Sequence, residues 1–145
     1  MKCQEIDRVG ILSYERCERI VRSSRHGGLT YSVRIGPNTW IRADGVDYLV
    51  VLYSTPIIRF SPDGAVILSS GGHQTPTTKD RINALSPARI HQERYVWYVG
   101  KLEFYDGLNV GVPRTERESL EYDVMRELAG AKSILADYDL DHTTA

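Results

Sequence analysis

The chain has little cysteine, almost no net charge and no long apolar run. Two cysteines in 145 residues, Cys3 and Cys17, make no disulfide framework. A reducing cytoplasm is therefore the default, both side chains are taken as plain thiols, and a cysteine metal site has no support. No run approaches the ~20 apolar residues of a membrane span. The opening MKCQEIDRVG lacks the apolar core of a secretion signal, so no membrane partner is expected. A formal net charge of -1 argues against nucleic-acid binding by bulk electrostatics, though not against a local basic patch. Catalytic signatures are missing as well. There is no H-E-x-x-H, no G-x-S-x-G and no G-x-x-x-x-G-K-[ST]. His26, His73, His91 and His142 are scattered, and no pair has ligand spacing on a helix. A metal-dependent nuclease would have to assemble Asp106, Glu103 and His91 across strands, and non-catalytic binding is the better reading. No catalytic residue, cofactor or metal is assigned.

What is present points to one α+β domain over residues 1–145, long enough to bury a core without staples. Ser13 is placed to cap an N-terminal helix within residues 10–28, with Tyr14, Cys17, Ile20 and Val21 on one face. Arg16, Arg19, Arg22 and Arg25 line the opposite side, a possible phosphate or nucleic-acid patch diluted by Glu15 and Glu18. Residues 30–112 alternate with strand period and are rich in valine, isoleucine and tyrosine. Asp44-Gly45, Ser61-Pro62-Asp63-Gly64 and Asp106-Gly107 are hairpin signals, each expected to join adjacent antiparallel strands of one meandering sheet. A short helix over 76–85 is inserted in it. Beyond Pro113, Thr115 and Glu118 form a capping box for a C-terminal helical segment over 115–140 with an apolar stripe of Leu120, Val124, Met125 and Leu128. Residues 1–60 carry nine Lys/Arg against six Asp/Glu, whereas residues 114–145 carry four against eight. That polarity, with the narrow stripe, leads us to expect a homodimer or higher homo-oligomer.

The stretch SSGGHQTPTTKDRIN, residues 69–83, is hardest to read as plain scaffold. Gly71 and Gly72 open the backbone to a close approach. Pro76 suits a first helical turn, and either Thr75 or Thr77 can be the N-cap. Ile82 and Leu85 form the buried side. A helix N-terminus offers free N–H groups and partial positive charge to an anion. Lys79 and Arg81 would add two cations, Thr77 and Thr78 two hydroxyls, and Asn83 an amide edge. The alternative is a tight strand-to-helix turn whose threonines cap and whose charges face water.

Around this core stand Tyr53, Thr55, Ile57-Ile58, Asp63-Gly64 and Leu68, then Ile90, Gln92, Trp97-Tyr98-Val99, Phe104 and Asp106-Gly107-Leu108. In this combination, over residues 48–109, the chain resembles a family of small tailed-phage and prophage proteins with the core G-G-W-x-T-x-T-T-K-x-R-[IM]-N. His73 stands where that family usually has tryptophan, and Gln74 where arginine is common. Stacking or phosphate roles at those two positions therefore do not carry over. The resemblance implies a phage accessory protein of the host bacterial cytoplasm and no particular chemistry. It also weights Gly71, Gly72, His73, Thr75, Thr77, Thr78, Lys79, Arg81 and Asn83 toward a ligand site. Three partners fit: a phosphorylated small molecule or nucleotide signal, as in anti-defence; a nucleic acid on the arginine helix face and the aromatics Tyr95, Trp97 and Tyr98; or a host defence protein such as a CRISPR complex, inhibited through the acidic C-terminal helix.

Overall fold

The computed structural model describes residues 3–23 and 32–111. The C-terminal helical segment, Arg25 and the end of the expected N-terminal helix, residues 26–28, lie outside the described residues. Two helices open the chain, α1 (Gln4–Val9) and α2 (Tyr14–Ser23). The first has no counterpart in the sequence reading. Ser13 caps the second, its Oγ accepting from the Arg16 amide at 3.1 Å.

Five strands then run as a meander: β1 (Ser32–Gly36), β2 (Thr39–Asp44), β3 (Asp47–Leu52), β4 (Thr55–Phe60) and β5 (Val66–Leu68). Every neighbouring pair is antiparallel. The Asp-Gly signal makes the β2–β3 hairpin, with Gly45 at φ 60°, where a side chain would be strained. The Ser61–Gly64 signal makes the β4–β5 hairpin, closed by the Ser61 amide on the Ala65 carbonyl at 3.1 Å. Helix α3 (Pro76–Leu85) follows, then β6 (Ile90–Glu93), β7 (Val96–Val99), β8 (Leu102–Glu103) and β9 (Leu108–Asn109).

The expected single sheet is in fact two. Strand β9 completes a six-stranded sheet in the order β1-β2-β3-β4-β5-β9, and β6-β7-β8 form a separate three-stranded sheet. Asp106-Gly107 therefore lies between strands of different sheets and is not a hairpin turn. The free edge of β5 decides this. Ile67 and Leu68 pair with Asn109 and Leu108, and the Gly107 amide donates to the Leu68 carbonyl at 2.7 Å.

Period-two alternation selects the core. Ile41 on β2, Val50 and Leu52 on β3, Ile58 and Phe60 on β4, and Val66 and Leu68 on β5 belong to one buried cluster with Ile6, Cys17, Val21, Ile82 and Leu85 of the helices. Tyr14 of α2 meets Tyr48 of β3 with ring centroids 5.3 Å apart. The small sheet joins through Trp97 and Phe104, edge to face at 5.5 Å. No helix of the described residues is long and apolar enough to cross a membrane.

Burial pushes the Cys17 thiol up to about 12, and burial with the nearby Glu18 carboxylate raises Tyr14 to about 12. Both groups thus keep their protons longer folded than unfolded. Their contribution is full below pH ~9, where the unfolded thiol starts to ionise, and drains away as pH climbs toward ~12. Urea unfolding at pH 7, 9 and 10.5 should show stability falling only above pH 9. A Cys17→Ala chain should show a shallower fall, and equal slopes would contradict the assignment.

Candidate functional site

The turn from β5 into α3 is held from two sides. Asp106 Oδ1 accepts from both the Ser70 amide, at 2.7 Å, and the Ser70 hydroxyl, at 2.8 Å. Ser69 and Ser70 hydroxyls in turn accept from the Gly71 and Gly72 amides at 3.0 and 3.2 Å. Gly71 sits at φ 64°, and a Cβ there would lie 2.2 Å from Thr55 Cγ2. Both facts require glycine at that position.

Of the two caps the sequence allowed, Thr75 is the one used. Its Oγ1 accepts from the Thr78 amide at 3.2 Å and lies 3.0 Å from the Thr78 hydroxyl. Pro76 occupies the first turn, where its missing N–H is harmless. The Lys79 amide already bonds to the Thr75 carbonyl. The Thr77 amide is thus left as the first-turn N–H without an acceptor among the described residues.

Helix α3 divides two clefts. The first, about 310 Å³, lies between the α3 N-terminus and the β3–β4 turn. His73, Thr75, Thr77 and Thr78 line it from the α3 side, and Tyr53, Thr55 and Ser70 from the sheet, over a floor of Leu52 and Ile57. The second, about 440 Å³, lies between α1 and α3 and receives Asp80, Arg81, Asn83 and Ala84. The nine residues expected to form one site are therefore split. Gly71 and Gly72 shape the turn, four residues face the first cleft, and two line the second. Lys79 lines neither; its Nζ reaches Gln92 Oε1 at 3.5 Å.

Arg81 departs most from the solvent-facing cation that the sequence suggested. Thr78, Arg81, Ile82 and Leu85 are the buried residues of α3, at the i, i+3, i+4, i+7 spacing of one helical stripe. Arg81 is 7% exposed, and its Nε donates to Thr39 Oγ1 on β2 at 3.1 Å. Asn83 also turns inward. Its Nδ2 donates to the Ile90 carbonyl at 2.9 Å, and its Oδ1 accepts from the Ile90 amide at 2.6 Å.

Sequence reasoning gave no role to Tyr53, Thr55 or Ser70. Tyr53 takes φ 57°, a left-handed conformation costly for an aromatic residue, and is largely exposed. Its amide bonds to the Asn38 carbonyl at 2.7 Å, which holds the turn in that shape. The only available signal was the place of Tyr53 and Thr55 in the motif.

Two of the three described arginines of the second patch have partners. An Arg16 guanidinium N–H donates to the Val9 carbonyl at the end of α1, and Arg22 pairs with Glu18 at 3.7 Å. Arg19 is exposed. Of the aromatics, Trp97 is buried, Tyr98 stacks on His91 at 5.7 Å, and Tyr95 stands 91% exposed at the β6–β7 tip. Asp106, Glu103 and His91 do not converge, and no carboxylate, histidine or cysteine cluster among the described residues has metal-site geometry.

Six hydroxyl-bearing residues, Tyr53, Thr55, Ser70, Thr75, Thr77 and Thr78, line the cleft beside the α3 N-terminus. Residues 32–111 match the family described as Kyanoviridae Gp96 protein, and since this is more than half of the chain, the protein belongs to that phage family. The match begins at β1 and ends with the residues that follow β9, so it takes in both sheets and α3 but neither α1 nor α2. No curated protein and no solved structure matches the chain.

Proposed function

We propose that the chain is a phage accessory protein that binds, without catalysis, a phosphorylated small molecule of the nucleotide class in the cleft between Tyr53 and the α3 N-terminus. One observation carries this reading: neutral donors converge there on a helix N-terminus that has an amide to spare. Thr77, Thr55, Tyr53 and His73 all line the same 310 Å³ space. Amides and hydroxyls at the positive end of a helix dipole hold phosphate oxygens without a cation in the pocket. Leu52 and Ile57 supply an apolar floor for the rest of the ligand.

Calorimetric titration with ATP, AMP, cyclic dinucleotides and inorganic phosphate tests it. At least one phosphorylated ligand should bind, and Thr77→Val should weaken it about three- to tenfold, as loss of one neutral hydrogen bond does. Thr77 is half-buried and its side chain caps nothing, so the melting temperature should hardly move. Absence of binding to every phosphorylated ligand at millimolar concentration would end this reading.

A further inference from the structure

We infer that the cavity between α1 and α3 is a second ligand site, built for a small monocarboxylate held by the guanidinium of Arg81. It lies on the opposite side of α3 from the proposed phosphate cleft and does not depend on it.

Arg81 carries a buried charge that makes no ion pair among the described residues. Arg81 is more than nine-tenths buried, and its one hydrogen bond runs from Nε to Thr39 Oγ1. The Thr39 hydroxyl donates onward to the Pro37 carbonyl at 2.8 Å, so the Arg81 Nε is matched to a neutral acceptor. Nη1 and Nη2 have no partner among the described residues. Arg81 lines the cavity between α1 and α3. A buried guanidinium without a carboxylate is costly, and natural structures resolve such a charge with an anion or a bidentate acceptor.

The lining sets the chemistry. With Nε committed to Thr39, the two Nη groups remain as an end-on fork, which matches the two oxygens of a carboxylate. Arg89 adds an exposed cation at the same cavity, while Asp7 and Asp80 bring carboxylates to it. That mixture disfavours a dianion such as a phosphate monoester and suits a single negative charge. Ile6, Ile11 and Ala84 provide apolar wall for a short aliphatic body. At about 440 Å³ the space holds a ligand of amino-acid size with its water.

Cys3 lines the same cavity and Cys17 is buried, so the full-length chain carries its own reporter. Alkylation of Cys3 by iodoacetate, which bears a carboxylate, is compared with alkylation by neutral iodoacetamide, and the rate ratio is referred to that of glutathione. Binding of the carboxylate by Arg81 should raise the relative ratio about tenfold and make the iodoacetate rate saturate, the scale of a charge-assisted hydrogen bond. Isobutyrate should protect Cys3 and isobutyramide should not; protection by inorganic phosphate as strong as by isobutyrate would overturn the monocarboxylate assignment. Arg81→Lys removes the fork and should abolish most of the preference. Should that chain fail to fold, Ile11→Asp decides, because Ile11 is 60% exposed and the change places a negative charge at the cavity without entering the core. It should bring the ratio down to the glutathione value, whereas Thr77→Val should leave it unchanged. A wild-type ratio equal to that of glutathione would overturn the site.

Discussion

Replacing Arg59 by methionine is expected to lower the unfolding free energy by about 3 kcal/mol, the range seen when one partner of a buried ion pair is removed. The β2–β3 hairpin sets Asp44 directly opposite Asp47, and like charges in that position oppose pairing. Arg59 on β4 resolves the conflict. One Nη bonds to Asp47 Oδ2, and the other reaches Asp44 Oδ2 at 2.8 Å. Burial works against the arginine charge, but the hydrogen bonds and charges of Asp47 and Asp44 outweigh it and raise the Arg59 pKa. Asp47 is 1% exposed, so methionine at 59 would leave a buried carboxylate in the sheet without the Arg59 countercharge. Arg59→Lys should cost less, about 1–2 kcal/mol, since the charge survives but one ammonium cannot span both carboxylates. Adding Asp47→Asn to Arg59→Met should recover a large part of the loss. Urea midpoints measure all three, and a loss below 1 kcal/mol in Arg59→Met would show that the pair is solvent-screened.

The second large effect is expected at Asn83. Asn83→Ala should cost about 2–4 kcal/mol, because the two Ile90 main-chain groups lose their acceptor and donor together and an unmade bond at a partly buried group is expensive. The Asn83 amide does for β6 what a neighbouring strand would do, supplying one donor and one acceptor to a single residue. Hydrogen exchange at the Ile90 amide should accelerate far more than exchange in β2 and β3. If the amide stays protected in the variant, another group holds β6. The same substitution separates the two roles proposed for residue 83: a ligand reader would change affinity with little change in stability.

Where a turn needs a residue that only a few side chains can supply, the sequence showed it. Gly45 and Gly64 take positive φ in two of the three hairpins that were expected. The β6–β7 hairpin stayed hidden because its turn residues, Arg94 at φ 51° and Tyr95 at φ 70°, adopt left-handed backbone without glycine or asparagine to announce it. Asp106-Gly107 misled for the opposite reason. It is a genuine turn, but the strand it feeds finds its partner far back along the chain, on β5, and local signals carry no such information. At the candidate site, capping chemistry narrowed the helix start to Thr75 or Thr77, and the fold uses Thr75. The stripe Thr78, Arg81, Ile82, Leu85 was also present in the spacing, yet only its two aliphatic members were recognised. Arginine is seldom buried, and what accepts it here, Thr39, lies across the fold on β2.

The way β9 closes the large sheet bears on how the chain is made. From β1 to β5 each strand pairs with the one synthesised just before it, so every closure is a short loop and the meander can form as it leaves the ribosome. The edge of β5 must then wait while α3 and the whole three-stranded sheet are translated, because residues 108 and 109 come after them. During that interval β5 offers unpaired main-chain groups to any passing strand, including that of a second nascent chain on the same message. It is only three residues long, which limits how firmly such an intruder can hold.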